Sequence, residues 1–495
     1  MNTMQQLAAF AFLATGLVGV ASAAPNDWAE GTGGRGGASR DYYNSAGSLS
    51  WKIRLGDWRD GRDAAQGDAP YAVATVSGAA KGSFVEWDVT PLVQEWSRGT
   101  FPNQGFFLRV VKGQGSFQFA SREDEDAARR PQLVLTGDAG VVTRTPQADT
   151  YLDSSTYRSL GHLNVLSISP SPNHVLLRFE LGGVKPRKAS LRLFNTAQTS
   201  GANADIGVFR CRQGHEVPDQ EPILGLAAKY PKDQGLAKDL DVVFFTDFEA
   251  DSWRDEWSQV ANRNASETVA ADAARKFEPL AGRALSANLA KGESTALNTL
   301  FKFKDKTSAE PDEMFFRYYL RLGDDWNQTV DGGKLPGFSG TYGKAGWGGR
   351  KVDGTDGWSA RGSFGLAIPE GNPLAGLQPI GTYCYHAEMR GTYGDVWVWQ
   401  RGYRGFLEKN RWYCIEQQVK LNQPERNDGI LRAWVDGRLA FEKTDIRFRT
   451  VATLKIEQVW MNVYHGGTKP SPYDQHLFID NVVIARKYIG PRRDG

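Results

Sequence analysis

From Val242 to Ile489 the chain is a succession of segments in which apolar side chains return at every second position. Glu313-Met314-Phe315-Phe316-Arg317-Tyr318-Tyr319-Leu320-Arg321-Leu322, Val396-Trp397-Val398-Trp399, Trp412 to Leu421, Gly429 to Gly437 and Leu477 to Ala485 all follow this pattern. A period of two lays one face of an extended strand on a core. Long runs of helical period are missing, so the chain is expected to be all-β. Asp436-Gly437 is a hairpin-turn signal. Roughly 250 residues of such strands suit a two-sheet β-jelly roll with a concave cleft, taken here as 242–490.

The segments ahead of it have a different texture. An apolar run from about Leu7 to Val20 ends in Ala21-Ser22-Ala23, the small-x-small pattern of a cleaved signal peptide, although no Lys or Arg precedes it. Residues 1–23 are therefore set apart from the fold, and the mature protein is expected to be secreted, extracellular or periplasmic, with no membrane partner. Residues from about 25 to 50 are rich in Gly, Ser and Ala and read as a flexible lead. Short strands with turn residues between them give one β-sandwich module at 40–138 and a second, partial one at 146–212. A polar, Pro-containing stretch at 213–240 reads as a linker. The formal net charge of +2 leaves no basic stripe for a nucleic acid. Cys211, Cys384 and Cys414 are too few for a disulfide framework. Cys384 and Cys414 fall on strands of one domain, which allows one bridge between them. No zinc-type spacing of Cys and His is present.

The residues that carry chemistry lie in the large domain. Gly332-Gly333-Lys334-Leu335-Pro336-Gly337 is followed by Ser359-Ala360-Arg361 and then Tyr383-Cys384-Tyr385. Alternation places both tyrosines on one face of a strand, and Ser359 on the face of Arg361. In this order the set resembles the catalytic constellation of jelly-roll polysaccharide lyases, family fourteen (alginate lyases) and the related glucuronan lyases. The resemblance implies β-elimination on a uronate polymer without a catalytic cofactor. Arg361, whose planar fork binds a carboxylate, would neutralise the C6 group with help from Ser359. Lys334 and Tyr385 would form the acid/base pair, with Tyr383 supporting; which is acid and which is base stays open. The stretch between Arg361 and Tyr383 is longer than the family pattern, and Pro369-Glu370-Gly371-Asn372-Pro373 reads as an inserted loop.

Further residues are expected in the groove. Trp460, Asn462 and Tyr464 alternate, and His465, in Tyr464-His465-Gly466-Gly467, is a candidate for assisting proton transfer. Trp347 and Trp358 could stack on sugar rings, and Gln418 add polar contacts. The resemblance also implies a structural calcium near the domain's ends, with Glu249 and Asp480 at the matching positions. The front sections resemble DNRLRE-type β-sandwich modules found on polysaccharide-active proteins, with the two halves in reversed order. This leaves open two shortened copies or one sandwich of swapped halves, and a sugar-binding role or a spacer. Together these features point to a secreted lyase acting as a monomer on an acidic polysaccharide, alginate before glucuronan. The rivals are a carbohydrate-binding protein and a glycoside hydrolase. The second needs two facing carboxylates, for which the strands offer Glu388, Glu416 and Glu457.

Overall fold

The computed structural model describes residues 28–138, 140–211, 221–261, 266–328, 330–370, 372, 374–467 and 469–493. The leader at 1–23 lies outside them, as do 213–220 of the linker. The fold is all-β, with 43% strand and 8% helix.

The large domain is a two-sheet jelly roll, as expected. One eight-stranded sheet runs in the order Ser266–Val269, Ala284–Leu289, Gln475–Ala485, Glu313–Leu322, Trp412–Lys420, Gly429–Val435 and Arg438–Ile446, and Val242–Thr246 pairs with Gln475–Ala485. The opposing eight-stranded sheet runs Gln259–Ala261, Thr295–Lys302, Gln458–His465, Gly333–Gly340, Trp358–Phe364, Gln378–Tyr385 and Asp395–Val398, and Phe406–Leu407 pairs with Gln378–Tyr385. Inward positions of both sheets, among them Phe316, Tyr318, Leu335, Phe338, Trp358, Ala360, Ile415 and Val463, form one core. Asp436 and Gly437 have φ of 50° and 76° and close the hairpin between Gly429–Val435 and Arg438–Ile446, as a two-residue turn with both angles positive requires. Cys384 and Cys414 lie on opposite sheets and are not bridged, and all three cysteines are buried.

In the front region the structure takes one of the two arrangements left open by the sequence and differs from the sequence reading in two further places. Strands from 40–138 and from 146–212 pair with one another: Lys188–Ser200 pairs with Phe84–Asp88, Ser116–Ala120 and Gln132–Gly137, and Ala204–Cys211 with Ala72–Val76 and Phe106–Gly113. The two sections therefore share one sandwich of two six-stranded sheets around one core. The glycine-rich lead is packed from Trp28 onward, with Trp28, Tyr43 and Leu49 fully buried. Its Gly37 serves close approach, because a Cβ there would lie 2.0 Å from the Glu30 carbonyl oxygen. Finally, residues 221–240 do not act as a free linker. Their short 3-10 turns dock on the jelly roll, where Asp233 forms a fully buried fork with Arg317 and accepts a 2.8 Å hydrogen bond from Asn481 Nδ2.

The insertion between Arg361 and Tyr383 also has a structural use. Asn372 exchanges 2.9 Å hydrogen bonds with Asn44 of the front region, and Tyr43 and Tyr403 hydroxyls lie 2.8 Å apart. Ile368, Leu374 and Phe406 join Trp28, Tyr43 and Leu49 in one apolar cluster. The loop is thus a seam between the sandwich and the jelly roll.

Candidate active site

Four neighbouring strands of the second jelly-roll sheet set out the site. Their order is Gln458–His465, Gly333–Gly340, Trp358–Phe364 and Gln378–Tyr385. Register puts Lys334 beside Tyr464, Arg361 beside Tyr383, and Ser359 beside Tyr385. Cross-strand neighbours share a face, so Arg361 sits between the level of Lys334 and that of Tyr385. The side chains enclose a cavity of about 570 Å³ lined by Lys334, Arg361, Tyr383, Tyr385, Asn462 and Tyr464, with Trp347, Tyr393 and Trp460 at its walls.

Arg361 is 5% exposed, and its guanidinium donates a 3.1 Å hydrogen bond to Asn462 Oδ1 and packs 4.5 Å from the Trp460 ring centroid. Its Nε is buried without a partner, and no carboxylate pairs with it among the described residues. Burial pushes its pKa down to about 10, which still leaves it cationic at neutral pH. Lys334 Nζ lies 4.6 Å from the Tyr383 ring centroid and 5.6 Å from that of Tyr464. Burial, then the Arg361 charge, push the ammonium down to about 8, against a smaller upward pull from Asp331. Gly466 leaves room for it, since a Cβ there would come within 2.5 Å of Nζ.

The two tyrosine hydroxyls are 3.5 Å apart. That of Tyr383 accepts from Gly394 N at 3.2 Å, and that of Tyr385 from Gly349 N at 3.1 Å. Burial, followed by the Tyr385 contact, holds the Tyr383 phenol above the usual range, so it remains protonated. A buried arginine and a half-buried lysine beside two phenols can bind an anion, accept a proton on the amine and return one from a phenol.

Other expected residues lie elsewhere. Ser359 is fully buried and its hydroxyl is spent on the Gly346 carbonyl at 2.7 Å, outside the cavity lining. His465 has the opposite parity to Tyr464; it is buried with Nε2 2.8 Å from Gln328 Nε2, and burial pushes its imidazole pKa down. Trp358 belongs to the core, donating to the Lys455 carbonyl at 3.0 Å. Gln418 stands on the other sheet, tied to Glu313 and Arg432. Asp480 is 1% exposed with Oδ2 unpartnered, and Glu249 lies close enough to help burial raise its pKa to about 8.

The carboxylates of the hydrolase reading are dispersed. Glu416 accepts the Ile489 and Gly490 amides, Glu457 caps Thr341 and Tyr342, and Glu388 holds Asn427 at the surface. None lines the cavity. Sequence reasoning missed Asn298, which accepts from Trp460 Nε1 at 2.6 Å, and Tyr393, which reaches the wall from a loop. Asn298 had a signal, being on an alternating strand, but its neighbour in the sheet was not legible.

Comparison with known proteins follows this geometry. Residues 281–482 match the family model for polysaccharide lyase 14, and residues 38–135 match that for the disaggregatase related repeat domain. No curated protein matches the sequence. Among solved structures, the marine PL-14 alginate lyase from Aplysia kurodai is 16% identical, over 50% of this chain and 99% of its own, with a TM-score of 0.38. Alginate lyase vAL-1 from Chlorella virus is 16% identical, over 50% and 99%, with a TM-score of 0.37. The endo-beta-1,4-glucuronan lyase from the fungus Trichoderma reesei is 14% identical, over 49% and 95%, with a TM-score of 0.34. The cavity and its cations thus lie inside residues 281–482, the segment that matches the polysaccharide lyase 14 model.

Proposed function

We propose that this protein is secreted and, as a monomer, cleaves a uronate polymer by β-elimination, alginate before glucuronan. One observation carries the reading: the Arg361 guanidinium is buried at the cavity with no protein carboxylate to match it. A buried charge of that kind costs stability unless a ligand pairs with it. A C6 carboxylate fits the planar fork, and Asn462 fixes the fork's orientation.

With the carboxylate neutralised, Lys334 as free amine takes the C5 proton. The electron pair left on C5 forms the C4–C5 double bond as the C4–O4 bond breaks. Tyr385, steadied by Tyr383, gives its phenolic proton to O4. Proton exchange with water then restores the amine and the phenol. The products are one chain with a new hydroxyl end and one with an unsaturated uronate end. No step needs a metal.

The calcium reading is kept as structural. Glu249 and Asp480 would hold the ion, and the orphaned buried Oδ2 of Asp480 suits an oxygen-seeking cation that would fix the domain's first and last strands. The front sandwich is read as a DNRLRE-type module that holds a sugar chain near the cleft.

The test is the ultraviolet absorbance of the new double bond, followed on alginate, glucuronan and hyaluronan, with Tyr385→Phe alongside. A rise on alginate that the variant loses is expected. Reducing ends without that absorbance would replace elimination by hydrolysis, and neither signal would make the protein a binder.

A further inference from the structure

A second buried polar centre lies in the front sandwich, away from the cavity. Glu30 comes from the N-terminal segment, Glu123 from the turn after the Ser116–Ala120 strand, and Asp149 from the Ala148–Asp153 strand. One oxygen from each falls within 4.8 Å of the others. Asp149 is fully buried, and its Oδ1 has no hydrogen-bond partner, while its Oδ2 accepts the Arg122 amide at 2.8 Å. Glu30 accepts the Asp149 amide at 2.9 Å and Arg122 Nη1 at 2.7 Å. Glu123 accepts from Ser121 Oγ at 3.2 Å and lies 3.4 Å from Arg122 Nε.

Charge and size both point to the missing partner. Three carboxylates carry three negative charges when ionised; Arg122 bonds to Glu30 and lies against Glu123, and Arg178 also acts on Glu30, so the two cations leave one negative charge over and Asp149 Oδ1 without a donor. A buried carboxylate oxygen with nothing to accept from is costly. Two ligands on one calcium ion can stand at most about 4.6–5.2 Å apart, twice the usual bond length, whereas magnesium allows only about 4.0–4.2 Å. Three oxygens within 4.8 Å of one another can share one calcium ion, whose flexible six- to eight-fold coordination accepts an irregular carboxylate set that magnesium's strict octahedron does not favour. Oxygen donors without nitrogen or sulfur do not favour zinc.

We propose that Glu30, Glu123 and Asp149 form a calcium site in the front sandwich. The ion clips together three pieces of chain that the strand pairing only partly joins: the N-terminal segment, the first section and the second. Burial pushes Glu30 up to about 7 and Asp149 well above the carboxylate range, so a proton competes for the site when calcium is withheld. Glu30 also borders an 820 Å³ cavity between the sandwich and the jelly roll, and a fixed Glu30 holds that wall in place. The proposal stands apart from the lyase reading, and activity is not its readout.

The experiment uses the full chain after removal of metal with a chelator. Calcium bound per chain is measured by titration calorimetry, and thermal unfolding is followed with calcium or magnesium. The expected result is that Asp149→Asn and Glu123→Gln each bind one calcium fewer than the parent. Without calcium, Asp149→Asn should be at least as stable as the parent, since the unpartnered charge is gone. Glu123, on a partly exposed turn, gives a variant that folds even where Asp149→Asn does not. An unchanged calcium count in Glu123→Gln, or equal stabilisation of the parent by magnesium, overturns the proposal and leaves Arg122, Arg178 and a shared proton as the neutralising groups.

Discussion

Lys334 offers a test that separates a proton-transfer group from a packing lysine. Its pKa is about 8 in the folded protein against an ordinary 10.5, chiefly through burial. At about 1.36 kcal/mol per pH unit, ionised Lys334 works against folding by about 3 kcal/mol. Lys334→Met keeps an apolar stem and removes the charge, so the variant should gain up to that amount at pH 7. A domain of this size moves by about 2–4 °C per kcal/mol, so the jelly roll's melting temperature should rise by about 6–12 °C. The size of this effect changes with pH in a definite window. Below pH 8 folded and unfolded chains both hold the proton, and the whole cost is present. Between about 8 and 10.5 the folded chain releases it while the unfolded chain keeps it, so the parent becomes more stable as pH rises. The variant has no such group, and its advantage should shrink to about 1 kcal/mol near pH ~9.5. The same ionisation governs activity: kcat/KM of the parent should climb about tenfold per unit toward pH 8, where the free amine becomes abundant. Calorimetry at the two pH values and initial rates across the range provide the check. A variant that melts lower at pH 7, keeps its advantage at high pH, or still eliminates would refute the reasoning.

Three further outcomes are expected. Tyr385→Phe should lower the elimination rate by about 10²–10⁴-fold, and Tyr383→Phe by less, measured as initial rates on alginate. Gly466→Ala puts a Cβ 2.5 Å from Lys334 Nζ; displacing the amine by about 1 Å should cost about 10²-fold in kcat with KM little changed. Asp233→Asn leaves Arg317 buried without its fork and should destabilise the jelly roll by about 3–5 kcal/mol in urea unfolding, without altering the site's chemistry.

Much of the site was legible because strand parity is simple. Tyr383 with Tyr385, and Asn462 with Tyr464, fall on one face for the reason that the period of a strand is two. The same rule places His465 on the opposite face from Tyr464, and there it stays, bonded to Gln328. Parity fails where a loop covers a face. Ser359 shares a face with Arg361, yet the segment around Gly346 closes over it and takes its hydroxyl. It fails again where sheet membership matters: Gln418 alternates as well as any groove residue but stands on the other sheet. The front sandwich was legible as strands and not as a topology, because pairing such as Leu191 with Leu133 joins segments far apart in the chain. Glycine content misled at the lead, since Gly37 is there for contact with Glu30 and not for freedom.

The cavity's charge is the feature that ties fold to substrate. Lys334 and Arg361 share a face of one sheet, and the lining around them contains tyrosine, tryptophan, asparagine and threonine but no carboxylate. Each cation depresses the pKa of its surroundings, and Arg361 is itself a cause of the low Lys334 value. A neutral polysaccharide would leave both charges as they are. A polyuronate brings a carboxylate on every ring, so one group can pair with Arg361 while its neighbours lie within the field of the same cations. Pairing Arg361 screens its charge and raises the Lys334 pKa at the moment the C5 proton becomes acidic. In the proposed reaction the base is thereby strengthened only when the substrate is correctly seated, and that coupling depends on Arg361 having no protein carboxylate at the cavity and on Asp331 acting on Lys334 less than Arg361 does.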